Sequence, residues 1–170
     1  NTDAVDHGTF LLRTSPTGAP IWQTYIASDY SNPVKCWDMD VDADGTISLG
    51  GDLEYGATFY SANDGPSYLA EPTEPDYGGH MYAARYDADG QFQWCLYAID
   101  NDFGSQVVAV ATAENGDLFI TGNNDHYYTT QVSELHHSDG SVAEMTGYCG
   151  FFVAKLDASG HLAWGNGALF

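Results

Sequence analysis

Asp40-Val41-Asp42-Ala43-Asp44-Gly45 is the stretch of this sequence best suited to chemistry. Carboxylates at alternate positions, followed by a glycine that permits a sharp turn, present oxygens to a hard cation, and Ca²⁺ takes roughly six to eight of them. This pattern predicts calcium ligation by Asp40, Asp42 and Asp44, with Asp38 and Asp52 as further donors. The string lacks the later Glu of an EF-hand loop, and no helix is predicted on either side. The competing reading is a solvent-facing strand edge that ends in an Asp-Gly turn. A later stretch carries Ala109, Ala111, Ala113 and Asn115 at the positions of Asp38, Asp40, Asp42 and Asp44, so the fold does not require these acids.

Other candidates are weaker. His136-His137 with Asp139, and His126 nearby, suggest a transition metal or a general base. Adjacent strand residues point to opposite faces, however, and no H-x-x-x-H pair supports them, so we expect loop histidines in contact with water. Cys36, Cys95 and Cys149 show no C-x-x-C spacing, and an odd number leaves one thiol over if two pair. No G-x-S-x-G elbow, H-E-x-x-H helix or phosphate-cradling glycine loop is present, and carboxylate pairs are too common here to mark a hydrolase. We expect no enzyme. Tyr55, Phe59, Tyr60, Tyr68, Tyr127 and Tyr128 read as plugs between sheets or as platforms for sugars or protein partners.

The elements that position these residues come from a repeat. FFVAKLDASGHLAW (151–164) has a second copy, MYAARYDADGQFQW (81–94), and a more degenerate first one, TFLLRTSPTGAPIW (9–22). In register, Arg13, Arg85 and Lys155 share a position, as do Gly18, Gly90 and Gly160, and Trp22, Trp94 and Trp164. A recurring tryptophan marks recurring packing, so all three are expected in the core. Three of only four basic residues occupy the cationic position, which we read as structural, paired with carboxylates or backbone carbonyls. Alternating runs around Gly-containing turns predict two hairpins in series per unit, a four-stranded antiparallel meander, and no stretch has a helical period. The expected fold is all-β. Its parts are an N-terminal arm (1–8), a first repeat (9–51), a long connection (52–80), a second repeat (81–122), a second connection (123–150) and a partial third repeat (151–170). Connections of this length are functional or carry extra short strands. Pro66, Pro72 and Pro75 argue against a central strand in the first.

The segments FVAKLDASGHLAW and VVAVATAENGDLFITGN resemble the SBBP, or beta-propeller, repeat of bacteria and archaea. The likeness covers most of 81–122 and 151–164, is looser over 9–51 and fails in the connections. It implies propeller-blade modules, secreted or surface-displayed and usually without catalytic residues. A propeller closes with four or more blades, and this chain supplies about two and a half. An incomplete last repeat leaves a bare sheet edge, so we expect completion by another copy through strand addition, with the N-terminal arm as donor.

Composition narrows the partners. Twenty-four acidic residues against four basic ones give a formal charge of −20. That field repels nucleic acid and anionic lipid, and no apolar run reaches the roughly 20 residues of a membrane helix. Scarce lysine with abundant Tyr, Asn and Gly leans extracellular. Opening on Asn1 suits a processed protein and an excised fragment equally. The favoured expectation is a secreted, non-enzymatic structural protein that self-assembles through strand or sheet-edge contacts, as a filament or surface layer. The alternative is a carbohydrate- or protein-binding propeller module, calcium-dependent, from a larger adhesin.

Overall fold

Among the residues that the structure describes, six turns share one construction, beginning at Ser15, Asp42, Asp87, Ala113, His137 and Asp157. In each, the first residue's N–H donates to the fifth residue's carbonyl, and the glycine at position four donates back to the first carbonyl. Those glycines have φ between 77° and 89°, the left-handed region that closes a short hairpin loop. Where the first residue is Asp42, Asp87 or Asp157, its Oδ1 accepts the N–H groups two and four residues on. The recurring Asp is therefore a turn cap.

A computed structural model describes residues 8–28, 33–72, 79–99, 104–124, 131–147 and 150–169. These form fourteen strands and no helix: β1 Gly8–Thr14, β2 Pro20–Ser28, β3 Lys35–Val41, β4 Ile47–Leu53, β5 Ala57–Tyr60, β6 Pro66–Ala70, β7 His80–Tyr86, β8 Phe92–Ile99, β9 Ser105–Thr112, β10 Leu118–Asn124, β11 Gln131–His137, β12 Val142–Gly147, β13 Gly150–Leu156 and β14 Leu162–Leu169. The protein is all-β and antiparallel. Each connection, 52–80 and 123–150, holds a hairpin of its own. Pro66 opens β6, an edge strand, where its missing N–H costs no ladder bond.

The hairpins that share a sheet are not the consecutive ones. A first outer sheet runs β1-β2-β5-β6, a central sheet β3-β4-β7-β8-β11-β12, and a second outer sheet β9-β10-β13-β14. Each four-stranded outer sheet is a meander in space, but the chain leaves it midway to lend a hairpin to the centre. A unit thus holds three hairpins: the first and third lie in its own layer, and the second lies in the next.

The inner strands β4, β7 and β8 of the central sheet are buried on both sides. Along β7, Tyr82, Ala84 and Tyr86 join a core with Leu11, Trp22, Ile26 and Phe59 of the first outer sheet. Met81 and Ala83 point the other way, into a core with Val107, Leu118, Ile120, Phe152 and Leu156 of the second. This two-sided burial explains why β7 reads as a nearly continuous apolar run. Phe59 and Tyr68 fill the seam against Tyr82 and Phe92, while Tyr127 and Tyr128 lie outside the described residues.

Candidate assembly interface

Arg13 and Trp22 face each other across the β1–β2 pair, and Arg85 and Trp94 do the same across β7–β8. Both pairs grip a turn of the following unit. Trp22 Nε1 donates to the Ala88 carbonyl at 3.0 Å, and Arg13 Nη1 donates to the same oxygen. Trp94 Nε1 donates to the Ala158 carbonyl at 3.2 Å, and Arg85 Nη1 donates to it at 2.9 Å and to the Gly116 carbonyl at 2.8 Å. Ala88 and Ala158 hold the same place in the turns 87–90 and 157–160. A methyl group built on Gly90 would lie 2.9 Å from the Trp22 ring, and one on Gly160 would lie 2.5 Å from Trp94. Glycine is needed there because the indole lies directly on the turn.

Arg85 is buried, and the loss of water lowers its pKa, while Asp42 and Asp44 pull the other way. Its remaining donors reach Ser48 Oγ at 3.3 and 3.2 Å, and its guanidinium sits 5.2 Å from the Trp94 ring. The recurring cation and tryptophan therefore act as one clamp that joins consecutive layers.

The third clamp grips no turn. Lys155 faces Trp164 across β13–β14, as Arg85 faces Trp94. Lys155 Nζ pairs with Asp117 at 2.6 Å and lies 5.8 Å from the Phe119 ring, and Phe119 meets Trp164 edge-on at 6.2 Å. Trp164 is 43% exposed, whereas Trp22 and Trp94 are 7% and 5% exposed. The expectation of three core tryptophans is corrected for Trp164, because among the described residues no further sheet packs on the outer face of the second outer sheet.

The opposite end is open in a matching way. Phe10 and Leu12 are 73% and 47% exposed. Their counterparts one and two units on, Tyr82 and Ala84, then Phe152 and Ala154, are essentially inaccessible. Gly18, the counterpart of Gly90 and Gly160, has no atom within 4 Å of a built Cβ.

The acidic string has separate local roles. Asp38 and Asp40 on β3 accept the N–H groups of Val110 and Thr112 at 2.9 and 2.6 Å, which stoppers the outer edge of β9. Asp42 caps its own turn. Asp44 accepts the Thr46 N–H, and bonds from Asp42 and Thr46 lower its carboxyl pKa to about 2. Asp52 lies at the far end of the β3–β4 hairpin, bound to Lys35 at 3.1 Å and to Trp37. It is therefore too distant to join Asp42 and Asp44. Asp40, Asp42 and Asp44 border one groove with Glu114.

His137 and Asp139, which the sequence singled out, are joined by His161, which it did not, in a cluster between the turns 137–140 and 157–160. The Asp139 carboxylate lies 2.9 Å from His137 Nδ1 and 2.9 Å from His161 Nε2, the Asp139 N–H donates to His137 Nδ1, and the two imidazoles stack at 4.4 Å. His137 Nε2 meets the Ser159 carbonyl at 2.9 Å, which leaves Nδ1 directed at Asp139. Among the described residues this is the only group of three His, Cys, Asp or Glu ligand atoms lying within 4.8 Å of one another. Two imidazoles and a carboxylate suit Zn²⁺ or a similar ion, with the carbonyl fixing one ring. His137 is buried at the end of β11 rather than in a wet loop, and His136 stacks on Tyr97 on the opposite face. His126 and Cys149 lie outside the described residues. Cys36 and Cys95 are free thiols whose pKa burial raises.

No model of a known protein family matches the chain, and no curated protein matches it.

Proposed function

We propose that the chain is a non-enzymatic structural subunit, displayed outside the cell, that self-assembles through sheet edges and outer faces into a filament or surface layer. The observation that carries this is the hairpin count of the layers. The central sheet has three hairpins, and each outer sheet has two. By the repeat's own plan, the first outer sheet lacks the hairpin that would pair with β1. The second lacks the one that would pair with β14. Edges that no described strand pairs, beside exposed Phe10, Leu12 and Trp164, are favourable sites for another chain. A polymer of propeller-like layers suits the SBBP resemblance without requiring one chain to close a ring. Calcium belongs to this proposal as an ion drawn to the groove that Asp40, Asp42, Asp44 and Glu114 border, where it would offset the acidic charge, although the carboxylates of Asp40, Asp42 and Asp44 do not all come within 4.8 Å of one another.

Electron microscopy of negatively stained purified protein tests the reading. Regular polymers are expected; a stable monomer at every concentration contradicts it. Deleting residues 1–7 tests the arm as strand donor, because polymers that survive the deletion assign the contact to other surfaces.

A second reading, glycan or protein recognition, is favoured by the exposed Phe119 and Trp164 rings beside Lys155, a surface of the kind that stacks on sugars. A glycan array distinguishes it.

A further inference from the structure

We infer that the Lys155–Trp164 clamp of one copy seats the turn Ser15-Pro16-Thr17-Gly18 of a second copy, with both side chains donating to the Pro16 carbonyl, so that copies stack head to tail. This rests on the self-assembly reading and names its joint.

The chain itself defines the partner, because the same clamp is filled twice inside it. Trp22 and Trp94 each lie on a turn glycine and hydrogen-bond the carbonyl two residues before it. What Trp164 fits is therefore a four-residue turn with glycine last and an accepting carbonyl at position two. The turn 15–18 has that form. Gly18 N donates to the Ser15 carbonyl at 2.9 Å, against 3.0 and 2.9 Å in the two seated turns. The φ of Gly18 is 83°, against 77° for Gly90 and 89° for Gly160. No reshaping is required before docking, which lowers the cost of association.

The turn is also open. Nothing lies within 4 Å of a Cβ at Gly18, where the two seated glycines carry an indole. It is uncharged as well: Ser15 and Thr17 stand where the other turns carry Asp87 with Asp89, or Asp157. In a chain of formal charge −20, a neutral turn adds nothing to the repulsion between copies. Docking would cover Phe10 and Leu12 with the outer face of the second outer sheet, as the interior layers cover Tyr82, Ala84, Phe152 and Ala154.

The two surfaces differ and lie at opposite ends of the stack, so the contact is heterologous. Repetition gives an open fibre rather than a closed pair.

The test uses two full-length variants, each spoiling one end. Trp164→Ala removes the clamp, and Phe10→Glu charges the outer face at the other end; both residues are exposed, so the fold, read by circular dichroism, is expected to persist. In sedimentation, each variant alone should lose self-association by roughly 30-fold or more, the scale of a truncated aromatic hot spot. Mixed together they retain one sound joint, and should form one-to-one pairs that grow no further. As a check that leaves both aromatic rings in place, Gly18→Ala, whose methyl group meets nothing within the chain but would lie against a seated indole, should weaken association as well. Polymers unaffected by all three substitutions overturn this joint and leave self-assembly standing. A parent chain that stays monomeric overturns both readings. Quenching of Trp164 fluorescence by an oligosaccharide, in a chain that remains monomeric, assigns the clamp to a glycan and likewise overturns the proposal.

Discussion

Trp94 hydrogen-bonds the backbone carbonyl of Ala158, 64 residues further along the chain, and Trp22 makes the corresponding bond to Ala88 across 66 residues. The three tryptophans of the repeat are thus chemically equivalent but differ in what they hold. Trp94→Phe keeps most of the ring and loses the bond, at about 1 kcal/mol, while Trp94→Ala should cost about 3–5 kcal/mol. Trp164→Ala should change the stability of the isolated subunit by less than about 1 kcal/mol. Urea unfolding of dilute protein gives the three values, and equal losses for Trp94→Ala and Trp164→Ala would refute the distinction.

Asp38 and Asp40 bear on β9 in a separately measurable way. Replacing either with Ala leaves the Val110 or Thr112 N–H without its charged acceptor. The expected loss is about 1–3 kcal/mol per residue, scaled down by the water that reaches these half-buried groups. Hydrogen exchange should accelerate at those two amides first. Unchanged protection would mean that the carboxylates do not guard the edge.

Acid should loosen the fold in a defined window. Bonds from the Ser141 backbone and hydroxyl, then from His161 and His137, hold the Asp139 carboxyl well below the usual range. Bonds from Lys155 and then Asn115 lower Asp117, and Asp44 falls to about 2. Each has a lower pKa folded than unfolded, so its stabilisation is present above about pH 4 and is lost as pH falls through the folded value. Asp42 is raised, by burial first and then by its bond with Asp44, and contributes in the opposite sense. With three groups against one, the melting temperature should drop from pH 5 to pH 2, and Asp139→Asn should flatten the fall. Association should instead strengthen as pH descends toward the sequence pI of about 4.1, because repulsion between copies fades.

Two cations can be tested on one protein. Zn²⁺ should raise the melting temperature of the parent and leave His161→Ala unmoved, since that variant lacks one of three ligands. Ca²⁺ should shift the parent but not the Asp42→Ala, Asp44→Ala double variant. No shift in the parent with either ion removes the corresponding site.

The local plan was legible in the sequence because turns and strand alternation are short-range. Glycines at 18, 90 and 160 and the spacing of Arg13, Arg85 and Lys155 all follow from the repeat. The pairing of alternate hairpins was not legible. β4 pairs with β7 across the β5–β6 hairpin, and nothing in a strand's own residues records which distant hairpin lies beside it. β5 is only four residues long, too short for a clear period, although Ser138-Asp139-Gly140 carried a turn signal for β11–β12. The His137–His161 contact joins turns of two different units, so no local spacing could announce it.

The proposal on which the rest depends is that copies of this chain stack on one another through the outer faces of its two outer sheets. Sedimentation of the purified protein over a wide concentration range, at salt high enough to screen its charge, tests that claim most directly. The expected mass rises continuously with concentration, without a plateau at a closed oligomer. A single monomeric mass throughout would contradict it.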